Sequence, residues 1–237
     1  MKKLLITILS LPLFSQAQDT PKSKWSIGAN FSTDINYRKL ENTTDDPFYD
    51  ELMEESNTRE KNRMGYTGGV TLSYNINPRI SLSSGVQFSQ KGYHSKPIYL
   101  SFRSIGSNGT LETRNRTASY IRTYDYLDIP LHLRYAFGNR KLQFIAGAGL
   151  NLNILIDSRE ERMIKEENFY QKLNTTKVTT PINLSPMVSV GVNYQLTPKI
   201  NIMAEPTFRH QMLKNDEYKL TEYLFNYGLN VSAFYRL

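Results

Sequence analysis

The stretch from Tyr126 to Ile154, YLDIPLHLRYAFGNRKLQFIAGAGLNLNI, is two alternating runs joined by a four-residue turn, and it restricts the fold more than any other segment. Leu127, Ile129, Leu131, Leu133, Tyr135 and Phe137 take every second position, with Asp128, Pro130, His132, Arg134 and Ala136 between them. After Gly138-Asn139-Arg140-Lys141 the apolar phase resumes at Leu142, Phe144, Ala146, Ala148, Leu150, Leu152 and Ile154, opposite Gln143, Gly147, Gly149, Asn151 and Asn153. A period of two puts the apolar groups on one face of a sheet. A run of about 11 residues is long enough to cross a bilayer as a tilted strand.

The same alternation recurs near Trp25 to Tyr37, Tyr66 to Ile76, Ile80 to Phe88, Leu184 to Leu196, Ile200 to Arg209 and Asn226 to Leu237. Together with the central pair this makes eight strands, joined by three tight turns and four long loops in strict alternation. Short turns on one side and long loops on the other are the habit of an up-and-down outer-membrane β-barrel with both termini in the periplasm. A soluble β-sandwich has no reason to sort its loops by length in this way. Outward-phase rings fall at both ends of the strands: Trp25, Tyr74, Tyr135, Phe137, Tyr194 and Tyr235 on the periplasmic side, Tyr37, Tyr66, Phe88, Phe208 and Tyr227 on the outer side. Two aromatic belts suit the two water interfaces of a bilayer.

Residues 1–17, MKKLLITILSLPLFSQA, have two lysines, an apolar run too short to span and small residues at Ser15 and Ala17. They are expected to be a cleaved secretory signal, leaving residues 18–237 as one barrel domain inserted from the periplasm. The sequence has no cysteine, and so no disulfide framework, thiol nucleophile or acceptor for a lipid anchor. The net charge of +7 is scattered rather than striped and indicates no nucleic-acid surface.

The segment YLDIPLHLRY, its tight turn and the strand FIAGAGLNLNI resemble the central hairpin of the outer-membrane β-barrel domain family of Bacteroidota, which includes PorT-like proteins. VSVGVNYQL and YGLNVSAFYRL are similar to that family's later strands. The resemblance implies export, insertion into outer-membrane lipid and, for the PorT-like members, a link to protein secretion and gliding. The closing strand, Asn226, Gly228 and alternating apolar residues, resembles the signal read by the barrel-assembly machinery, although the chain closes on Leu237 where that signal has Phe or Trp.

The inward phase collects Asp34, Lys91, Arg122, Asp128, His132, Arg134, Glu205, Arg209 and Arg236. An eight-stranded barrel is just wide enough for side chains to fill it, so these are expected to form an ionic plug with no solute channel. The chain is expected to be a non-enzymatic component of the cell envelope with no cofactor or resident metal, its loops meeting an envelope or secretion partner. Two other readings stay open: a lipid-modifying enzyme at the outer rim, where His94 and His210 fall without a tied nucleophile, and an exported soluble β-domain that binds a ligand. The acidic stretch with Asp45, Asp46, Asp50 and Glu51 lacks the ordered spacing of a calcium loop and is expected to be a solvated loop. Residues 157–181 suit a short helix or a strand extension equally. Pro130, Pro186 and Pro206 within strands call for local bulges.

Overall fold

A computed structural model describes residues 23–42, 47–105, 110–138, 141–166, 169–175, 181–215 and 220–237. The expected signal segment and the tip of the central turn, residues 139 and 140, lie outside the described residues. In chain order the elements are β1 (Trp25–Asn42), α1 (Pro47–Arg59), β2 (Glu60–Lys61), β3 (Arg63–Asn75), β4 (Ile80–Ser95), β5 (Ile98–Ile105), β6 (Leu111–Phe137), β7 (Leu142–Glu166), β8 (Phe169–Thr175), β9 (Ile182–Gln195), β10 (Ile200–Asn215) and β11 (Leu220–Arg236).

All strands belong to one antiparallel sheet of eleven. Eight of them, in the order β4-β3-β1-β11-β10-β9-β7-β6, form a ring that the β4–β6 pairing closes. The other three attach at the outer end: β2 to β4, β5 to β6 and β8 to β7. Closure leaves no edge in the ring, which a sheet in hydrocarbon requires because nothing there can bond a free N–H or C=O.

Burial is inverted relative to a soluble protein. On β1, Ile27, Phe31 and Ile35 are about half exposed, whereas Ser32, Asp34 and Asn36 are fully buried. The exposed apolar face is far larger than a water-soluble surface carries and fits contact with lipid tails. Its borders are the aromatic belts, where Trp25 packs on Tyr74 at 4.8 Å and Tyr135 on Phe137 at 4.7 Å on one side. On the other, Tyr66 meets Phe88 at 6.0 Å and Phe208 meets Tyr227 at 5.0 Å.

The long strands pass well beyond the lipid band. β6 has 27 residues and β7 has 25, roughly twice what a tilted crossing needs. The expected loop after Asp157 is therefore the strand extension, with β8 paired to it, and the long loop expected ahead of the central pair contains β5, paired with the first part of β6. The charged stretch after β1 is not a solvated loop, since it contains α1. Pro47 opens that helix, Asp50 lies in its first turn and Arg59 in its last, an arrangement that suits the helix dipole, and Glu55 and Arg59 pair one turn apart. Asn57 ties α1 to β1 by two bonds, its Oδ1 accepting from Leu40 N at 2.9 Å and its Nδ2 donating to Leu40 O at 3.1 Å.

The prolines are not accommodated by bulges. Pro130 keeps its pairing with Asn151 of β7, while the ladder toward β4 skips from Ser84↔Leu131 to Gln87↔Asp128 without a change of register. Pro206 keeps Leu229 of β11, and the ladder toward β9 skips from Ala204↔Val192 to Thr207↔Ser189. Pro186 keeps Leu150 of β7, and the ladder toward β10 ends at Met187. Each missing donor thus breaks the ladder toward one neighbour only.

The register shift lies elsewhere. Tyr126 faces Leu155 and Asp125 faces Asp157, leaving Ile156 unopposed. Before this bulge the odd residues of β7 enter the lumen, as at Asn151 and Asn153; after it the even ones do, as at Ser158 and Glu160. Asp125, in the outward phase of Leu127 and Ile129, is buried beside the bulge, where it accepts from Gln90 Nε2 at 2.9 Å and pairs with Arg159. Deleting Ile156 removes the extra residue without changing which face any neighbour presents, so the variant should still give a heat-modifiable barrel on gels. Deleting Leu152 sends Asn153 to the lipid and should abolish insertion in the same assay.

Candidate functional site

The lumen is filled by paired charges in tiers. Nearest the periplasm, Arg134 Nε donates to Glu205 Oε1 at 2.9 Å and the same guanidinium donates to Ser83. Above them, Arg209 Nη1 lies 3.1 Å from Asp34 Oδ1, which also accepts from Ser32 Oγ at 2.6 Å; Thr67 Oγ1 donates to Oδ2 at 2.5 Å. Further out, Lys91 Nζ is 3.4 Å from Asp128 Oδ2 and 4.9 Å from the centre of the Tyr126 ring, and Asn153 Nδ2 donates to Asp128 Oδ1 at 2.5 Å. The side chains of these three ion pairs are at most 8% exposed. Charges so deeply buried persist only when paired, because a lone one costs several kcal/mol. Among the described lumen side chains, a cavity of about 20 Å³ lies beside His132, Asn151, Arg209 and Ser232, about one water in size.

Two lumen glycines make this packing possible. A Cβ on Gly228 would occupy the place of the Asp34 carboxylate, and one on Gly147 would collide with the His132 ring. His132 Nε2 lies 3.2 Å from Ser189 Oγ, which donates to Glu205 Oε1 at 3.2 Å. The single serine proton is shared between two acceptors at equal distance, and the imidazole tautomer sets the polarity of the contact.

The outer mouth is closed by groups from six strands. Arg38 of β1 pairs with Glu60 of β2 and lies 3.8 Å from Glu222 of β11; its Nη1 donates to Tyr93 Oη at 2.8 Å and its guanidinium sits 4.0 Å above the Tyr93 ring. Tyr120 and Tyr124 of β6 join through Glu60 and Glu222, each at 3.3 Å, and Arg122 of β6 pairs with Glu160 of β7. Burial first, and then the Glu222 charge, push the Tyr93 phenol above its ordinary value, so it remains a neutral acceptor for Arg38. Glu60 arrives because Asn57 and the bond from Lys96 N to Arg59 O, at 2.7 Å, hold α1 against the rim.

Of the residues read from the sequence, Asp34, Lys91, Asp128, His132, Arg134, Glu205 and Arg209 share the lumen filling. Arg122 belongs to the outer cap instead. Arg236 lies near the periplasmic end, partly exposed, with its Nε buried and without a hydrogen-bond partner. His94 and His210 are not brought together: His94 is on β4 beside Ile121 of β6, and the His210 ring stacks on Phe225 at 4.8 Å. Among the described residues no group of three or more His, Asp or Glu side chains is placed to hold a metal ion; Asp45 and Asp46 lie outside them, and Asp50 accepts from Asn42 Nδ2 at 3.0 Å. The cap tyrosines were within reach of sequence reasoning, because Tyr93 continues the inward phase of Lys91, and Tyr124 and Tyr126 continue that of Asp128.

A model of the outer membrane protein beta-barrel domain family matches residues 14–209. The chain belongs to this family. Outer membrane protein beta-barrel domains reside in the outer membrane, and this one is an antiparallel transmembrane barrel located there. Among solved structures it is similar to Neisserial surface protein A, with 12% identity, coverage of 92% of this chain and 100% of that one, and a TM-score of 0.44. AlkL, solved by solid-state NMR in lipid bilayers, shows 13% identity, 96% and 98% coverage and a TM-score of 0.41. The outer membrane protease OmpT of Escherichia coli shows 11% identity, 90% and 97% coverage and a TM-score of 0.39. No curated protein sequence matches the chain.

The ion pairs of this outer-membrane barrel can be probed one at a time. Asp34→Asn leaves Arg209 buried without its charge partner and should cost about 3–5 kcal/mol of stability. Adding Arg209→Met to that variant should recover most of the loss, as read from urea unfolding in lipid vesicles by fluorescence of Trp25, the sole tryptophan. In the cap, outside the lipid band, burial pushes the Glu160 carboxyl up, but hydrogen bonds and charge from Arg162 and Arg122 outweigh it and hold the group below its ordinary range. A depressed acid contributes stability above its unfolded pKa and loses it as pH falls through the folded value. Acidification below the ordinary carboxylate range should therefore speed amide exchange in the outer part of β7 after correction for intrinsic rates, and Glu160→Gln should remove that extra pH dependence.

Proposed function

We propose that the chain is a non-enzymatic, non-conducting component of the outer membrane whose lumen side chains brace the barrel and whose projecting strands meet an envelope partner. The observation that carries this reading is the filling of the lumen. Two of the deep ion pairs, Arg134–Glu205 and Arg209–Asp34, join strands that are not neighbours in the ring, while Lys91–Asp128 joins the paired β4 and β6; the cavity beside His132 and Arg209 is about 20 Å³, far below what a hydrated solute needs.

The partner is sought on the outer side. There β6 and β7 extend beyond the lipid band and, with β5 and β8, build a sheet above the barrel. A projecting paired sheet with a helix tied to β1 beside it suits protein contact better than solute capture. The partner class follows the likeness to PorT-like barrels and is a protein-secretion component of the envelope.

Two measurements bear on this. Purified protein in planar bilayers should give no stable open channels, and stable channels would overturn the plugged reading. Deletion of the gene should change the profile of secreted proteins, and shortening β6 and β7 above the cap in an otherwise inserted barrel should reproduce that change. An unaltered secreted profile would remove the secretion assignment while leaving the plug untouched.

A further inference from the structure

The lipid-facing surface of the barrel is not uniformly convex. Where the β9–β10 ladder skips two positions at Pro206, the outer wall has a depression of about 570 Å³. That lies within the range of sites that hold small organic ligands. Thr33 and Pro206 are among its lining residues, Gly228 reaches its floor, and Val190, Phe208 and Tyr227 stand around it. Its lining is overwhelmingly apolar, and the Thr33 hydroxyl supplies polar character on the lipid-facing side of β1.

Three observations give this depression an occupant. First, Phe208 and Tyr227 are members of the outer aromatic belt, so the hollow opens into the hydrocarbon of the outer leaflet and not into water. Second, one wall is held in place before anything enters: Phe208 stacks on Phe225 at 6.2 Å and leans at a tilt on Tyr227 at 5.0 Å, and Phe225 is backed by His210 at 4.8 Å. A preformed wall spares a ligand the cost of ordering it. Third, a second copy of the chain is a poor fit, because a two-fold contact sets the same patch against itself, and hollow on hollow leaves a void. A flexible hydrocarbon chain has no such restriction.

We infer that this hollow is a seat for one acyl chain of an outer-leaflet lipid, held in preference to the lipids that surround the rest of the barrel. Pro206 creates the site by breaking the ladder toward β9, and Thr33 keeps it open by presenting a short side chain where Ile27, Phe31 and Ile35 of the same strand face are larger. The inference is independent of the lumen, which lies on the other side of the wall.

Native mass spectrometry of the barrel purified in detergent and supplied with dipalmitoyl phosphatidylethanolamine tests this. The protein should retain one lipid under activation that strips the detergent, and a dioctanoyl analogue with the same head group should be retained at least fivefold less. Thr33→Phe and Val190→Phe, which fill the hollow, should each reduce retention of the long-chain lipid at least fivefold, while Ile27→Phe, on the same lipid-facing side of β1 but outside the hollow, should not. Heat-modifiable migration confirms that each variant is a closed barrel, and Val190→Phe serves if Thr33→Phe fails to insert. Equal retention by wild type and both filling variants, or retention independent of chain length, overturns the inference. Dimers that vanish in the filling variants overturn it in favour of a second copy.

Discussion

The pairing of β4 with β6 is the interaction on which the rest of this structure depends. Without it the sheet has two edges in a medium that offers no hydrogen-bond partner, and each unpaired backbone group would cost several kcal/mol. Once the ring is closed, the side chains have only two destinations, lipid or lumen. The period of two then assigns every residue, and the lumen must receive nearly all the polarity of the wall. The prolines respect the same constraint. Each breaks the ladder toward one neighbour and retains it toward the other, so the ring is thinned locally but stays closed.

Much of this was legible because it is local. Alternation from Leu127 to Phe137, the resumed phase after Lys141 and the sorting of turns by length define the crossings and their direction without any knowledge of partners. What could not be read is set by tertiary geometry. Asp34 and Arg209 are 175 residues apart, and nothing in either neighbourhood names the other. Arg122 has the inward phase of the plug residues, yet its height on β6 places it in the cap. The bulge at Ile156 has no local signature, since Ile follows Leu155 as readily as in a regular strand, and only the opposing β6 reveals the extra residue. Bulges were expected at the prolines because a missing donor invites one; removing the bond on a single side proved sufficient.

The acidic segment after β1 misled for a related reason. Its apolar residues lack a strong helical period, and α1 is held by its ends: Pro47 at the start, Asn57 on the Leu40 backbone and Glu60 beneath Arg38. The helix thus acts as a strut that delivers one carboxylate to the mouth of the barrel. Arg38, Glu222 and Glu60 come from three different strands, so the cap couples the helix to both sides of the β1–β11 seam.

The ion pairs of the lumen also carry information about the order of assembly. Arg134 of β6 and Glu205 of β10 are 71 residues apart, and they meet across the interior rather than along a ladder. Contacts of such separation form late, after the loops that join them have been closed. Until then the growing sheet would present a row of unpaired Asp, Glu, Lys and Arg on one face and a greasy surface on the other. Such a sheet cannot enter lipid flat. Its charged face has to stay in water, or against another protein, until curvature brings the opposite signs together, and neutralisation of the lumen and entry into the membrane become one event.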